Sequence, residues 1–133
     1  MEPLDSGAHR SRARRGAALA AALALLAAAA PRPALAHAIV LDSTPAAGSV
    51  VPGPDVALEV RFNCRIDGER SQLSLLSEDG RGREIEKAQV VVEGTLASRA
   101  SGLAPGAYRL RWQVLAVDGH ITRGDIAFRV AGP

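Results

Sequence analysis

Strict alternation of apolar and polar residues gives the clearest strand signals in this chain. From Val56 to Ile66 the apolar side chains, Cys64 among them, fall on one face and the polar or small ones on the other. Successive side chains of a strand point to opposite faces, so this period of two predicts a half-buried strand. The same rhythm recurs over residues 107–117 and 122–130, with these inward positions: Tyr108, Leu110, Trp112, Val114 and Ala116, then Ile126, Phe128 and Val130.

Weaker strand signals lie between these segments. Residues 38–41, 71–76, 85–92 and 95–98 predict short strands, the last with little support, and residues 42–48 predict a turn. Glycine and proline punctuate the connections, and no stretch beyond residue 36 has helical periodicity with convincing caps. Short strands at regular spacing with such turns predict an all-β sandwich or barrel.

The first 36 residues predict a cleaved secretory signal peptide. Four arginines at positions 10–15 precede a continuous small and apolar run over residues 16–30, and Ala34-Leu35-Ala36 has the A-x-A cleavage pattern. A membrane anchor is the alternative, but this run is shorter than the roughly 20 residues that span a bilayer. We therefore expect export, cleavage after Ala36, and a single small domain over residues 37–133.

Removing the leader changes the charge balance. Residues 37–133 carry ten Arg and one Lys against twelve Asp and Glu, a net charge of −1, whereas the whole chain carries +2. The basic character of the precursor therefore belongs to its leader. No basic stripe interleaved with aromatics remains in the domain, so we expect no nucleic-acid partner.

Candidate chemistry is concentrated at Asp118-Gly119-His120, between the last two predicted strands. Asp118 and His120 are i, i+2 neighbours whose side chains leave locally extended backbone on one side. Gly119 can take backbone angles that a residue with a Cβ resists. A carboxylate and an imidazole can supply two ligands to one divalent metal. Taken alone, Asp-Gly between strands is more often only a hairpin turn.

Cleavage after Ala36 would give this motif a partner, because His37 would become the first residue. Its α-amine and its ring Nδ1 can then close a six-membered chelate. An α-amine has a pKa of about 7.7–8.0, so a metal can displace its proton near neutral pH. His37 and His120 are the only two histidines beyond residue 36.

The only cysteine and the only methionine limit other metal chemistry. Cys64 lies on the apolar face of its predicted strand, where a free cysteine usually acts as a small hydrophobe. Its alternative role is a soft thiolate ligand favouring Cu(I). Met1 is lost with the leader, so we expect no thioether-rich Cu(I) site.

Several segments in order resemble the CopC-type copper-resistance family of exported copper-binding proteins. The similarity covers nearly all of the chain beyond residue 36. It rests on these segments: His37-Ala38, residues 41–48, Val60-Arg61-Phe62-Asn63, residues 103–108, residues 112–120, and Gly124 with Phe128 and Val130.

The resemblance implies an immunoglobulin-like Greek-key β-sandwich or barrel of about seven strands that binds Cu(II). The family's ligands would carry over to His37, through amine and ring, and to Asp118 and His120. Two imidazoles, an amine and a carboxylate suit tetragonal Cu(II). Some family members place a Glu where this chain has Cys64, so that ligand is missing here.

The expected function is therefore that of a periplasmic, non-enzymatic protein of copper resistance and homeostasis. It would sequester copper or pass it to a CopD-type inner-membrane transporter, without stable membrane insertion of its own after processing. Two alternatives stay open. One is an oxygen-activating enzyme, because an amino-terminal His chelate resembles the copper brace of lytic polysaccharide monooxygenases. The other is a metal-free immunoglobulin-like interaction module.

Overall fold

The structure is a computed structural model that describes residues 37–132, so the predicted signal peptide lies outside the described part. Nine strands are present in this range, two of them only two residues long. Their bounds are β1 Val40–Thr44, β2 Val50–Val51, β3 Val56–Phe62, β4 Gln72–Ser77, β5 Gly82–Arg83, β6 Gln89–Val92, β7 Thr95–Ala100, β8 Gly106–Leu115 and β9 Ile121–Val130.

The strands form two sheets with an immunoglobulin-like order. One sheet runs β1-β3-β7-β6 and the other β2-β9-β8-β4-β5. Pairing is antiparallel except between β2 and β9, which are parallel. Without the two shortest strands, this order is that of the constant-type immunoglobulin sandwich. The all-β Greek-key prediction of about seven strands is confirmed.

The core fills the space between the two sheets. β3 alternates without fault between buried and exposed positions, and β8 sends Leu110, Trp112 and Val114 inward from the opposite sheet. The rings of Phe62 and Trp112 meet edge to face, with centroids 5.2 Å apart. The hydroxyl of Tyr108 donates to the carbonyl of Ala104 at 2.6 Å, which is the tyrosine corner of such sandwiches.

Several predicted elements have different limits in the structure, and the strand predicted over residues 85–92 is present only as β6, Gln89–Val92. β1 continues through Thr44 into the predicted turn, because residues 42–44 pair with Arg61, Val60 and Glu59 of β3. β3 ends at Phe62, so Cys64 lies beyond it. The weakly predicted strand at residue 95 is β7, which pairs on both of its edges. Among residues 37–132, no helix is long and apolar enough to cross a membrane.

Candidate metal centre

The backbone that follows His37 is fixed at one end of the sandwich. Ala38 is buried in the core with 5% exposure, although His37 before it is exposed. Ile39, the residue after Ala38, forms two hydrogen bonds with Asn63. The Asn63 Oδ1 accepts the N–H of Ile39 at 2.8 Å, and the Asn63 N–H donates to the Ile39 carbonyl at 3.0 Å. The backbone two residues after His37 is therefore held by the chain just after β3.

Asp118 and His120 lie in the tight loop that joins β8 to β9. The last pair of the ladder is Leu115 with Ile121. The N–H of Ala116 donates to the His120 carbonyl and the N–H of Gly119 to the Ala116 carbonyl, both at 2.9 Å. Gly119 has a φ of +89°, a conformation that residues with a Cβ rarely adopt. The glycine thus allows the turn that brings its two neighbours together.

The carboxylate of Asp118 binds His120 with both oxygens. Oδ1 accepts the backbone N–H of His120 at 3.1 Å, and Oδ2 lies 2.8 Å from the ring Nδ1. These hydrogen bonds, the side-chain bond first, lower the pKa of Asp118 below its usual value. Because Nδ1 is engaged, Nε2 is the ring nitrogen of His120 left free for a metal. A carboxylate on the second nitrogen is the usual way in which a ligating histidine is oriented.

The rings of His37 and His120 meet between the segment that precedes β1 and this loop. Their centroids are 5.4 Å apart, with an interplanar angle of 63°. An imidazole nitrogen lies about 2.0–2.1 Å from a bound metal such as zinc, so rings at this separation can reach one ion by small rotations. Within residues 37–132, no three His, Cys, Asp or Glu side chains already enclose a metal position. The donors are adjacent, and binding requires them to turn toward the ion.

Cys64 lies beside this group rather than deep in the core. It is half-buried and packs against the core cluster. Desolvation, and after it the charge of Asp118, raise the pKa of its thiol. Its chain neighbours contact both sides of the candidate site: Asn63 holds Ile39, and the Arg65 carbonyl accepts the N–H of Val117 at 3.3 Å. The thiol is thus less buried than the strand alternation predicts.

Sequence reasoning gave no role to Asn63, which the structure identifies as the residue that anchors the segment after His37. The available signal was a polar residue immediately after the last buried position of an alternating strand. That signal fits any solvent-exposed strand end, and the bond to Ile39 spans 24 positions along the chain. Local pattern therefore could not identify the contact.

The model of the CopC domain matches residues 40–131. This chain belongs to the CopC domain family. The matched range includes Asp118 and His120 and begins three residues after His37. The family predicted from the ordered sequence segments is confirmed.

Individual relatives agree with this CopC domain in fold and extent. Protein YobA of Escherichia coli (strain K12) is 28% identical over 104 residues, which cover 71% of this chain and 79% of that protein. The solved structure of CopC from Methylosinus trichosporium OB3b is 29% identical, with a TM-score of 0.66 over 71% of this chain and 93% of that one. PcoC from Escherichia coli, a methionine-rich copper resistance protein, has a TM-score of 0.65 over 72% of this chain and all of its own, at 22% identity. At that identity the likeness to PcoC shows the fold alone.

Proposed function

We propose that this CopC domain, with His37 as its first residue after cleavage, is a periplasmic protein that binds one Cu(II) ion through His37, Asp118 and His120. The observation that carries the proposal is the approach of the two rings, 5.4 Å between centroids, beside a carboxylate hydrogen-bonded to one of them. Membership of the CopC domain family supports copper as the ion, because the ordered segments described above resemble the copper-binding proteins of that family.

The donor set explains the choice of Cu(II). A terminal α-amine, two imidazoles and a carboxylate are nitrogen-rich and suit the tetragonal geometry of Cu(II), which also heads the affinity order of divalent first-row metals. His120 would bind through Nε2, because Asp118 occupies Nδ1. A carboxylate oxygen that accepts one hydrogen bond keeps further acceptor capacity, so Asp118 can also provide the fourth donor.

The proposed role is copper resistance and homeostasis without catalysis. His120 is exposed over 64% of its side chain, so a bound ion would lie at the surface, where it can pass to another protein. We propose a CopD-type inner-membrane copper transporter as recipient, with sequestration as the alternative use of the same site. A polysaccharide-oxidising enzyme would need an exposed aromatic surface. In the described range, Phe62, Tyr108, Trp112 and Phe128 are all buried.

The test is a Cu(II) titration of the chain that begins at His37, against a competing chelator, with the electron paramagnetic resonance spectrum recorded at each step. We expect one tight equivalent with tetragonal, nitrogen-rich parameters. His120→Ala should remove it while the fold is retained. Weak binding that is indifferent to His120 would contradict the proposal and favour a metal-free interaction module.

A matched pair of chains isolates the terminal chelate. A chain beginning at Ala36 differs from one beginning at His37 by a single residue. In the longer chain the nitrogen of His37 is part of a peptide bond, so His37 has no α-amine to form the chelate with its ring. We expect strongly reduced affinity for the longer chain, and equal affinity for the two would contradict the chelate. The copper-loaded protein with ascorbate should consume no more oxygen than free copper does, and a higher rate would favour the enzyme instead.

A further inference from the structure

The outer face of the five-stranded sheet carries a concentration of positive charge that the candidate metal centre does not use. Alternation along β8 and β9 directs Arg109 and Arg111 outward from one strand and Arg123 and Arg129 from the next. Asp125 is the only acid at an outward position of the same two strands. These four arginines and Asp125, here named the arginine face, carry a net charge of +3. The whole of residues 37–133 carries −1.

Internal pairing neutralises only part of this charge. Asp125 pairs with Arg111 in a two-pronged contact, with Nε to Oδ1 at 2.9 Å and Nη2 to Oδ2 at 3.2 Å. The same carboxylate lies 3.7 Å from Nη1 of Arg109. In the ladder, Arg123 lies opposite Gln113 and Arg129 opposite Ala107. Neither of these two arginines has an acidic oxygen within 4.0 Å in residues 37–132.

The shape and composition of the arginine face indicate which anion it fits. Arg123 and Arg129 are six residues apart on one strand, which corresponds to about 20 Å, more than one small anion spans. The neutral positions beside the arginines include Gln72, Ser74 and Gln113, whose amides and hydroxyl can bind a polypeptide backbone. Between the arginines, the outward positions of β8 and β9 carry Gln113, Asp125 and Ala127, and the exposed large apolar side chains Val50 and Ile121 lie at the margin of the face. A guanidinium also fits a carboxylate with two parallel hydrogen bonds.

We propose that the arginine face is a docking surface for an acidic polypeptide segment of a partner protein. Arg123 lies on β9, three residues after His120 in the sequence. A segment bound here would therefore lie beside the loop of Asp118 and His120. That placement, which would bring a copper recipient to the candidate metal centre, rests on the proposed function. The docking itself needs no metal and is testable on the metal-free protein.

The experiment measures binding of a fluorescently labelled 16-residue poly-glutamate peptide to the metal-free chain beginning at His37, at low ionic strength. The test variant is Arg109→Gln with Arg123→Gln. Its control is Arg81→Gln with Arg99→Gln, which removes the same charge elsewhere. Each double variant replaces one arginine paired with an aspartate and one without an acidic partner. Thermal melts verify that both variants fold.

We expect the test variant to bind the peptide about ten-fold more weakly, as the loss of two exposed charge contacts implies. The control should change affinity by less than about two-fold. Added salt should weaken binding by the unmodified protein, because exposed charges are screened. Amide chemical shifts of β8 and β9 should move on titration with the peptide.

Two outcomes would overturn the proposal. An equal loss of affinity in both double variants would mean that the peptide responds to overall charge and not to this face. Binding to vesicles of anionic phospholipid in preference to the peptide, sensitive to the test variant alone, would assign the face to a membrane surface. Because copper is absent from the assay, failure here leaves the copper titration unaffected, and failure of that titration leaves this one unaffected.

Discussion

Asp118 accepts two hydrogen bonds from His120, one from its backbone N–H at 3.1 Å and one at its ring Nδ1 at 2.8 Å. The backbone bond fixes the loop, and the side-chain bond fixes the direction in which the ring points. The rotation of the His120 ring is thereby restricted before any ion arrives, so that only a small turn toward the ion is needed. Orientation of this kind reduces the conformational freedom lost on binding, which is why partners of ligating histidines contribute to affinity.

Asp118→Asn should weaken Cu(II) binding by about 10- to 100-fold, the usual effect of losing a partner of this kind. The amide oxygen can still accept the backbone N–H, but the negative charge is gone. The measurement is a chelator-competition titration. Asp55→Asn is the control, because Asp55 also accepts a backbone N–H, from Gly102 at 3.1 Å. Unchanged affinity in Asp118→Asn would remove Asp118 from the proposed site.

Gly119→Ala should weaken copper binding by distorting the loop. Gly119 has a φ of +89° and Gly102 a φ of +67°, and a Cβ at either position would meet nothing within 4 Å. A left-handed conformation costs a residue with a Cβ about 1–2 kcal/mol, so Gly119→Ala and Gly102→Ala should destabilise the domain alike. Only Gly119→Ala should lower copper affinity. Equal copper affinity in the two variants would show that the loop conformation does not control the site.

The sequence predicted the strands that alternate and missed features that depend on pairing. The alternation in β3 and β8 is visible locally, because one face of each strand packs in the core. β7 gave only a weak signal, since its small and polar residues are held by neighbours on both edges. The polar residues 42–44 of β1 likewise belong to a strand because they pair with β3.

The candidate site could be predicted only in part, for a similar reason. His37, Asp118 and His120 are conspicuous as residue types, and the resemblance groups them, but their copper binding stays a prediction. The hydrogen bonds between Asn63 and Ile39 join positions 24 residues apart, and a local pattern of apolar and polar residues cannot predict such a contact. The exposure of Cys64 depends on the end of β3 at Phe62, whereas the alternation of apolar residues continues to Ile66.

Asp125→Asn should destabilise the domain slightly at neutral pH and not at all in strong acid. The hydrogen bond from Arg111 lowers the pKa of Asp125 in the folded state. A lowered pKa contributes stability above the unfolded value of about 3.9, and this contribution is lost as the pH falls through the folded value. Thermal melts at pH 7 and pH 2 measure the gap between variant and wild type. A gap of the same size at both would contradict the assignment.

Gly124→Ala should destabilise the domain because Gly124 makes room for the indole of Trp112. The two residues are paired across β8 and β9, and a Cβ at position 124 would lie 2.6 Å from Cζ2 and 2.9 Å from Cε2 of Trp112. Overpacking of this kind costs about 1–3 kcal/mol, and each kcal/mol lowers the melting temperature of a small domain by about 4–8 °C. Gly82→Ala is the control, since a Cβ there meets nothing within 4 Å. Melting temperatures of both variants equal to that of the wild type would contradict this prediction. They would mean that the indole of Trp112 has another position available and that Gly124 does not fix its edge-to-face contact with Phe62.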